Sequence, residues 1–468
     1  MHDIKEVYEK QRANRWNVAF TTAEERIAKL IKLRAAIWAR REELHKAMYA
    51  DFRKNPGEVD LTEVYPVIAE INHTIKHLKH WMKPKKVKTP FFLFGTKSEL
   101  RYEPKGLVLV LSPWNYPFNL LINPLVAIIA TGNCAILKPS SKVPQTARFL
   151  KSFISGIFDE NEVALFEGSA AISDQLLEYQ FDHIFFTGSP KIGKAVMTAA
   201  AKYLTPVTLE LGGKSPVIID SSANIRKSAE RLMWGKFINA GQTCIAPDYL
   251  LIHESRQQEF IAESKRVLEE RFGKTEEARR KNESFCRLVS DGALEGLVSM
   301  LGESVKQGAK VEIGGVSTPG QRYMAPTLLS NVMDHHAIMQ EEIFGPILPI
   351  LTFKSLDEAI TAVQSREKPL ALYIFSENST TTEKLLKSTT AGGTCVNSVI
   401  LHVANNDLPF GGIGQSGMGN YHGFFGFCTL SHERGVLKQG KVDVFKYFYP
   451  PYTDKVKNMI MTAIKYLG

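Results

Sequence analysis

The chain has 468 residues, of which 44% are hydrophobic and 23% are charged, and this balance excludes disordered and fibrous proteins. A chain of this length exceeds what one compact core accommodates, so on the order of two or three domains are expected. The net charge of +9 bears on anionic partners and not on the fold.

The N-terminal part of the chain has helical spacing. Apolar residues between positions 23 and 82, such as Ile27, Leu30 and Ile31, recur with charges between them and predict helices. The charged start predicts no signal peptide. The lysines from Lys83 to Lys88 favour a solvated loop, with nucleic-acid or lipid contact as the alternative. Residues 91–104 predict a strand.

From Gly106 onwards, short apolar runs alternate with helical stretches. The first series is LVLVLS, CAILKPS, VALFEG, HIFFTGS and PVTLELGG, and the second is SPVIID, YLLIHES, ILPILTF, ALYIFS and GGTCVNS. Apolar runs that end in polar or glycine turns are typical of parallel strands in doubly wound α/β units. The predicted fold class is α/β, with two doubly wound Rossmann-like domains and a cleft between them. No segment is apolar enough throughout to predict a membrane span.

The C-terminal part departs from this pattern. Residues 430–437 predict a further strand. Beyond Pro450-Pro451, an apolar stripe predicts an amphipathic helix that packs on the protein or on a sister subunit, with membrane-surface contact as the alternative. The stripe consists of Val456, Met459, Ile460, Ala463, Ile464 and Leu467.

Two residues carry the chemistry that the sequence suggests most clearly. Cys244 follows the small-residue turn Asn239-Ala240-Gly241, and Glu210 lies between Leu209 and Leu211. A thiol that attacks and a carboxylate that activates water are the groups that covalent acyl chemistry needs. Taken alone, the carboxylate favours a simple turn.

The remaining cysteines predict no further chemistry. Five cysteines are scattered along the chain without a CxxC pair or a Cys/His cluster, so neither a disulfide framework nor a metal site is predicted. A reducing, cytoplasmic location is expected. Small buried hydrophobic side chains without a nearby base are the expectation for four of them: Cys134, Cys286, Cys395 and Cys428.

Three segments resemble phosphate-binding loops. Residues 412–417 match G-x-G-x-x-G, but neither a strand nor a helix flanks them, so a dinucleotide fingerprint is rejected. Residues 188–194 approach a P-loop, yet Ala195 stands where a Ser or Thr would hold Mg²⁺, which argues against an NTPase. The helix start there still suits a pyrophosphate. Residues 138–142 follow a predicted strand, where open α/β sheets bind ligands.

Six short motifs occur in order along the chain: Pro113-Trp114-Asn115-Tyr116-Pro117, Lys138-Pro139-Ser140, Phe186-Thr187-Gly188-Ser189, Leu209-Glu210-Leu211-Gly212-Gly213-Lys214, Gly241-Gln242-Thr243-Cys244 and Glu342-Ile343-Phe344-Gly345-Pro346. Together they resemble the NAD(P)-dependent aldehyde dehydrogenase superfamily. The later runs resemble its class 3 branch, which acts on fatty and aromatic aldehydes. These are Pro409-Phe410-Gly411-Gly412, Gly417-Met418-Gly419, Tyr421-His422-Gly423, Ser431-His432-Glu433-Arg434 and Tyr449-Pro450-Pro451-Tyr452.

The resemblance implies that medium- or long-chain aliphatic or aromatic aldehydes are oxidised to carboxylic acids with NAD(P)⁺. Cys244 would form a thiohemiacetal and then a thioester, the Asn115 amide and the Cys244 backbone N–H would stabilise the oxyanion, and Glu210 would activate the hydrolytic water. Substrate contacts would come from Tyr116, Thr243 and Ile400. Cofactor contacts would come from Trp114, Lys138, Ser141, Gly188, Ser189, Gly193, Leu211, Glu342 and Phe344.

The resemblance also implies a domain plan. Residues 1–85 and 105–211 would bind the cofactor and residues 212–412 would form the catalytic domain. Residues 86–104 and 413–440 would form a small β element for bridging and oligomerisation, and 441–468 a tail with the amphipathic helix. A homodimer without nucleic acid or integral membrane association is expected, and peripheral contact through the tail is a further possibility.

Two positions depart from the family pattern. Many members carry Glu where this chain has Ser141, followed by Lys142, so acceptance of NADP is predicted. Ser398 stands where relatives usually carry Asp, and no consequence follows from it. Three alternatives are weighed: an acylating member, which Glu210 disfavours; an NTPase; and a non-catalytic relative, which the joint presence of Asn115, Glu210 and Cys244 disfavours.

Overall fold

The computed structural model describes residues 3–467. Its α-helices are α1 (Ile4–Ala19), α2 (Ala23–Phe52), α3 (Pro56–Val59), α4 (Tyr65–Trp81), α5 (Asn119–Thr131), α6 (Pro144–Ser155), α7 (Ala170–Leu177), α8 (Pro190–Ala201), α9 (Ile225–Phe237), α10 (Gln257–Phe272), α11 (Glu276–Lys281), α12 (Asp291–Lys306), α13 (Leu356–Gln364), α14 (Ser379–Ser388), α15 (Gly423–Thr429) and α16 (Asp454–Leu467). A π-helical turn, Asp60–Val64, joins α3 to α4.

The strands are β1 (Lys85–Val87), β2 (Thr96–Pro104), β3 (Leu107–Leu111), β4 (Cys134–Lys138), β5 (Val163–Leu165), β6 (His183–Gly188), β7 (Val207–Leu211), β8 (Pro216–Ile219), β9 (Tyr249–His253), β10 (Lys310–Ile313), β11 (Ser317–Thr318), β12 (Tyr323–Met324), β13 (Thr327–Ser330), β14 (Ile347–Phe353), β15 (Ala371–Phe375), β16 (Gly393–Val396), β17 (Gly417–Met418) and β18 (Ser431–Gln439). The predicted α/β fold class is confirmed, because the apolar runs of both series lie on strands.

The first sheet has the strand order β17-β7-β6-β3-β4-β5 and is parallel apart from β17. Its central strands β3 and β4 are buried along their whole length, as expected for a parallel sheet that helices cover on both faces. The chain runs outward from β3 to β5 and returns at β6 on the other side of β3. This reversal opens a crevice beyond the carboxyl ends of β3 and β6, where such sheets bind ligands.

The second sheet has the order β10-β13-β14-β9-β8-β15-β16. It is parallel from β13 to β16, and only its edge strand β10 runs antiparallel. Strands β8 and β15 are buried throughout. This sheet supplies the scaffold behind the segment that contains Cys244.

The third sheet pairs β2 with β1 on one side and with β18 on the other. Strand β18 aligns antiparallel with β2 from Ser431 opposite Pro104 to Gln439 opposite Thr96, so the predicted C-terminal strand is confirmed. The strand predicted over residues 91–104 is too long, because Phe91–Leu93 forms a 3₁₀ turn after Pro90. Gly95 then bends the chain at φ +91°, where a Cβ would lie 2.3 Å from the Val442 carbonyl oxygen.

The predicted N-terminal helices are present but interrupted. Helix α2 begins after a capping box in which Thr22 and Glu25 bond each other's backbone, and it ends where Arg53 adopts a left-handed conformation. One apolar face is buried in the main core against α5, whereas Ile31 remains exposed. Truncating a buried leucine of this face to alanine typically costs about 2–5 kcal/mol. The buried residues of α2 include Leu30, Leu33, Ile37 and Leu44.

The predicted C-terminal helix is confirmed as α16. Val456, Met459 and Ile460 are partly buried, Ile464 is exposed, and the side chain of Leu467 lies outside the described residues. Within residues 3–467, none of the helices combines the length and the apolar character that crossing a membrane requires. Helix α16 contacts the 3₁₀ turns Phe91–Leu93 and Phe445–Phe448 of the same chain, and the domain boundaries stay predictions.

Candidate active site

Glu210 lies near the carboxyl end of β7, between β6 and the short strand β17. Its side chain is buried, and neither carboxylate oxygen has a hydrogen-bond partner among residues 3–467. Burial raises the pKa of Glu210 well above its usual value, because the charged form loses its solvation. A carboxylate with a raised pKa is a stronger base near neutral pH, which suits it to take a proton from water.

Cys244 lies just beyond a turn in which Asn239 and Ala240 both adopt positive φ. Gly241 follows at φ +75°, and a Cβ there would lie 2.3 Å from the carbonyl oxygen of Gly345, so only glycine fits. The residue as a whole is partly exposed, but its sulfur is removed from solvent. Burial, followed by the charges of Glu342 and Glu210, raises its pKa to about 12. The resting thiol is therefore protonated, and the reactive thiolate forms only when its proton is removed.

Asn115, which follows β3, is held against the segment that leads to Cys244. Its side-chain Nδ2 donates to the backbone carbonyl oxygen of Gln242 at 3.1 Å. Its backbone carbonyl oxygen accepts from Asn239 Nδ2 at 2.9 Å. Gln242 in turn bonds the backbone carbonyls of Asn239 and Arg287. Because an amide nitrogen carries two hydrogens, Asn115 retains one for an oxyanion next to Cys244.

Sequence reasoning assigned no role to Asn239 and Gln242. The turn Asn239-Ala240-Gly241 was visible in the sequence, but its small residues did not reveal the two amide networks. Their partners lie far away along the chain: Asn115 is 124 residues from Asn239, and Arg287 is 45 residues from Gln242.

An apolar cavity of about 180 Å³ leads to Cys244. The predicted substrate residues Tyr116, Thr243 and Ile400 all line it, and the hydroxyls of Tyr116 and Thr243 are 2.6 Å apart. The structure thus brings these residues together with the thiol, while their contacts with a substrate stay predictions. Further lining residues are Leu61, Tyr65, Trp234, Ile238, Phe410 and Tyr421.

Several of the predicted cofactor residues lie along the crevice of the first sheet. Ser189 precedes α8 and its side chain makes no capping bond in the described structure. A Cβ at Gly188 would lie 2.5 Å from the Phe186 ring, so the backbone there has no room for a side chain. A Cβ at Gly193 would lie 2.7 Å from Leu211, which shows how closely α8 packs on β7.

Lys138 ends β4, and its amine is buried. Nζ donates to the carbonyl oxygens of Pro139 at 3.0 Å and Gly168 at 2.8 Å, and burial lowers its pKa. An ammonium group has three hydrogens, so one remains for a ligand hydroxyl. Ser141 and Lys142 follow β4 and are both exposed, and the Lys142 amine lies 5.8 Å from the centroid of the Trp114 ring.

Glu342 and Phe344 approach the site from the second sheet. A Cβ at Gly212 would lie 2.2 Å from a carboxylate oxygen of Glu342, so the carboxylate sits directly on the glycine pair after β7. Burial and the charge of Asp248 raise the pKa of Glu342 to about 8. Phe344 meets Trp114 edge to face, with ring centroids 5.4 Å apart.

These groups fit a nicotinamide dinucleotide. The open start of α8 suits a pyrophosphate, since helix N-termini attract anions. The spare hydrogen of Lys138 and the oxygens of Glu342 suit the hydroxyls of two riboses. All of these residues lie along the crevice or next to the glycine pair that follows β7.

Cys395 contradicts one expectation. It was predicted to lack a nearby base, but its Sγ lies 3.2 Å from Nδ1 of His402. Burial lowers the pKa of His402 to about 4 and raises that of Cys395. Both groups are therefore uncharged at neutral pH, and the pair is a hydrogen bond rather than a thiolate–imidazolium pair. The error arose because the turn between them brings residues seven positions apart into contact.

The chain is similar to known proteins over most of its length. The sequence model of the Aldehyde dehydrogenase family matches residues 2–432. A 4,4'-diaponeurosporen-aldehyde dehydrogenase of Staphylococcus aureus is 44% identical over 92% of this chain and 92% of its own. The human Aldehyde dehydrogenase family 3 member B1 is 40% identical over 95% of this chain and 94% of its own.

Solved structures show the same similarity. The substrate-bound state of Staphylococcus aureus AldH has a TM-score of 0.94 at 41% identity, covering 99% of this chain and 100% of that chain. An NAD-dependent aldehyde dehydrogenase from Sinorhizobium meliloti has a TM-score of 0.85 at 26% identity, covering 96% of this chain and 89% of that chain.

Proposed function

The chain belongs to the aldehyde dehydrogenase family and uses NAD(P)⁺ to oxidise aldehydes to carboxylic acids, and we propose that Cys244, Asn115 and Glu210 carry this reaction. One observation supports the assignment above the others. The other two groups lie close to the thiol: Cys244 lines the apolar cavity, Asn115 is bonded to the residue two positions before it, and Glu210 is close enough for its charge to raise the pKa of the thiol.

In the first step the Cys244 thiol gives its proton to water, and the thiolate sulfur then forms a bond with the aldehyde carbon as the carbonyl π bond opens. The carbonyl oxygen becomes an oxyanion, which the free hydrogen of the Asn115 amide and the Cys244 backbone N–H stabilise. Each such donor typically contributes about 3 kcal/mol to transition-state stabilisation. Bound NAD(P)⁺ supplies the hydride acceptor. Loss of the hydride leaves an acyl group on Cys244 as a thioester.

The second step hydrolyses that thioester. Glu210 takes a proton from a water molecule, whose oxygen attacks the acyl carbon while Asn115 again stabilises the oxyanion. The C–S bond then breaks, so that the carboxylic acid leaves and the Cys244 thiolate is regenerated. The raised pKa of Glu210 favours this proton transfer near neutral pH.

The lining of the cavity supports medium- or long-chain aliphatic and aromatic aldehydes as substrates. Fluorescence of NAD(P)H is measured with benzaldehyde and a series of alkanals. Turnover is expected to rise from short to longer alkanals, because the apolar walls bind each added methylene by roughly 0.8 kcal/mol. Absence of turnover with every aldehyde would refute the assignment, and a requirement for coenzyme A would favour an acylating enzyme instead.

Ser141 supports the proposal that NADP⁺ is accepted as well as NAD⁺. No carboxylate stands at this position to repel a 2′-phosphate, and Lys142 is exposed beside it. Ser141→Glu is expected to lower kcat/KM for NADP⁺ by roughly tenfold or more, because like charges a few ångströms apart repel, while kcat/KM for NAD⁺ changes little.

The same charge change at the exposed Ser221 serves as the control for Ser141→Glu. This residue lies beyond β8, away from the crevice, and its substitution should leave the ratio between the two cofactors unaltered. A preference of the native enzyme for NAD⁺ by about a thousandfold, equivalent to roughly 4 kcal/mol, would rule out the proposal.

The open edge of β18 supports a homodimer. Within residues 3–467, β18 pairs with β2 on one side only, and such an edge is a template for a strand of a second chain. Light scattering is expected to give twice the chain mass of 52.4 kDa. Leu437→Lys, at an exposed position of the edge, should weaken the dimer, whereas Leu204→Lys, at a more exposed leucine elsewhere, should not. A single-chain mass for the native protein would contradict the dimer.

A further inference from the structure

We propose that Tyr373 is a positioning residue whose hydroxyl couples one wall of the aldehyde cavity to the segment that carries Cys244, and that it thereby sets which aldehydes reach the thiol productively. The inference rests on the proposed function, because it assumes that the cavity binds the aldehyde.

The wall in question is a strained loop after β16. Ile400, which lines the cavity, adopts φ +66°, and Asn397 adopts φ +52°. A positive φ is a genuine outlier for a β-branched residue such as isoleucine. Such a conformation persists only when surrounding contacts over-determine it, and it often marks a functional position.

Several contacts fix the two ends of this loop. The Asn397 side chain accepts from the Ser376 backbone N–H at 2.9 Å and donates to the Ser376 carbonyl at 2.8 Å. At the other end, Cys395 and His402 form the pair described above. The His402 ring lies on Gly393, where a Cβ would be 2.6 Å from the ring. These contacts anchor the loop to β15 and β16 but do not reach Cys244.

Tyr373 supplies the link to the nucleophile. It lies on β15, and its side chain is fully buried. Its Oη donates to the carbonyl oxygen of Ile245, the residue directly after Cys244, at 2.5 Å. The same hydroxyl lies near the backbone N–H of Ile400, and the Tyr373 ring meets the His402 ring of the loop edge to face, with centroids 6.2 Å apart. One buried tyrosine therefore contacts both the nucleophile segment, through its hydroxyl, and the loop that forms the strained cavity wall, through its ring.

Removing that hydroxyl has a defined consequence. Tyr373→Phe keeps the ring that fills the core but leaves the Ile245 carbonyl without its partner and removes the polar group next to the Ile400 N–H. Buried polar groups that lose a partner destabilise the arrangement that holds them. Ile400 is then free to leave its strained conformation, and the wall shifts relative to Cys244. A long alkanal touches more of the wall than propanal does, so it should be affected more.

A double-mutant cycle tests the coupling. The native enzyme, Tyr373→Phe, Ile400→Ala and the double variant are assayed for kcat/KM with propanal and decanal and for KM of the cofactor. Tyr323→Phe is the matched control. It also removes one phenolic hydroxyl of a buried tyrosine, which lies on β12 and bonds Glu276 but does not line the cavity.

In Tyr373→Phe, kcat/KM for decanal should fall about tenfold, the worth of roughly one hydrogen bond in the transition state. The value for propanal and the cofactor KM should change little. In the Ile400→Ala background, Tyr373→Phe should alter the decanal-to-propanal ratio much less. Tyr323→Phe should leave that ratio unchanged even if it lowers Tm.

Two results would overturn the inference while leaving the proposed function intact. One is an equal loss for both aldehydes, which indicates a general structural role for Tyr373. The other is additivity of the two substitutions. Failure of the native enzyme to oxidise any aldehyde would instead refute the proposed function itself.

Discussion

Replacing Cys244 by alanine is expected to lower kcat/KM for aldehyde oxidation by about four orders of magnitude or more, as is common when a covalent nucleophile is removed. Without the sulfur, the aldehyde carbon has no atom in the cavity with which to form the adduct that gives up the hydride. The measurement is NAD(P)H formation with the best alkanal of the series, at enzyme concentrations high enough to detect the residual rate.

Cys428→Ala is the matched control, because Cys428 is also a partly exposed free cysteine but lies on α15 and does not line the cavity. Its activity should remain close to native. The thermal unfolding of both variants should also be near native, since loss of one small side chain at a partly exposed position removes little packing. Retention of more than about one per cent of the native kcat/KM in Cys244→Ala, a loss below roughly 3 kcal/mol, would contradict the nucleophile assignment.

Replacing Glu210 by glutamine is expected to separate the two halves of the reaction. The amide has the shape of the carboxylate but cannot take a proton from water, so the thioester should form and then persist. Rapid mixing should show one equivalent of NAD(P)H per active site, followed by a steady rate lowered by about 10²–10⁴-fold, the usual contribution of a general base.

Glu342→Gln is the control that shows whether the burst and slow steady rate are specific to Glu210 or follow from neutralising any buried carboxylate near the site. Glu342 is assigned to the cofactor, so its variant should raise the KM for NAD(P)⁺ and should not show a burst followed by a stall. A native-like steady rate in Glu210→Gln, or a loss of the burst itself, would mean that Glu210 does not act on the thioester.

The stability of Glu210→Gln should also respond differently to pH. The folded-state pKa of Glu210 is raised, so its contribution to stability is fully present below the unfolded pKa and is lost as pH rises through the folded pKa. Glutamine does not titrate, and the variant should therefore lose less stability than the native enzyme as the pH rises from the unfolded pKa of Glu210 through its folded pKa.

Much of the fold could be predicted from the sequence, because buried parallel strands appear as short continuous apolar runs. The runs at β3, β4 and β15 were of this kind. The prediction that a strand begins at residue 91 was wrong for a local reason. Phe91 to Phe94 are as apolar as a strand, but Pro90 and Gly95 impose turns. Periodicity alone does not distinguish these two conformations.

The candidate site could be predicted only in part. The motifs around Cys244 and Glu210 located the chemistry because their residues are close along the chain. Tyr373 could not be found in this way, since its partner Ile245 is 128 residues away and nothing in ALYIFS separates it from an ordinary core tyrosine. The bond between Cys395 and His402 was missed because it depends on the left-handed residues Asn397 and Ile400, which the side-chain types there do not predict.

Mass spectrometry of Glu210→Gln tests the central claim most directly. The variant is mixed with octanal and NAD(P)⁺, quenched in acid after the burst, and digested. The account predicts an octanoyl group on the peptide that contains Cys244, in an amount equal to the NAD(P)H released. An unmodified Cys244 after a full burst, or an acyl group on Cys395 instead, would contradict it.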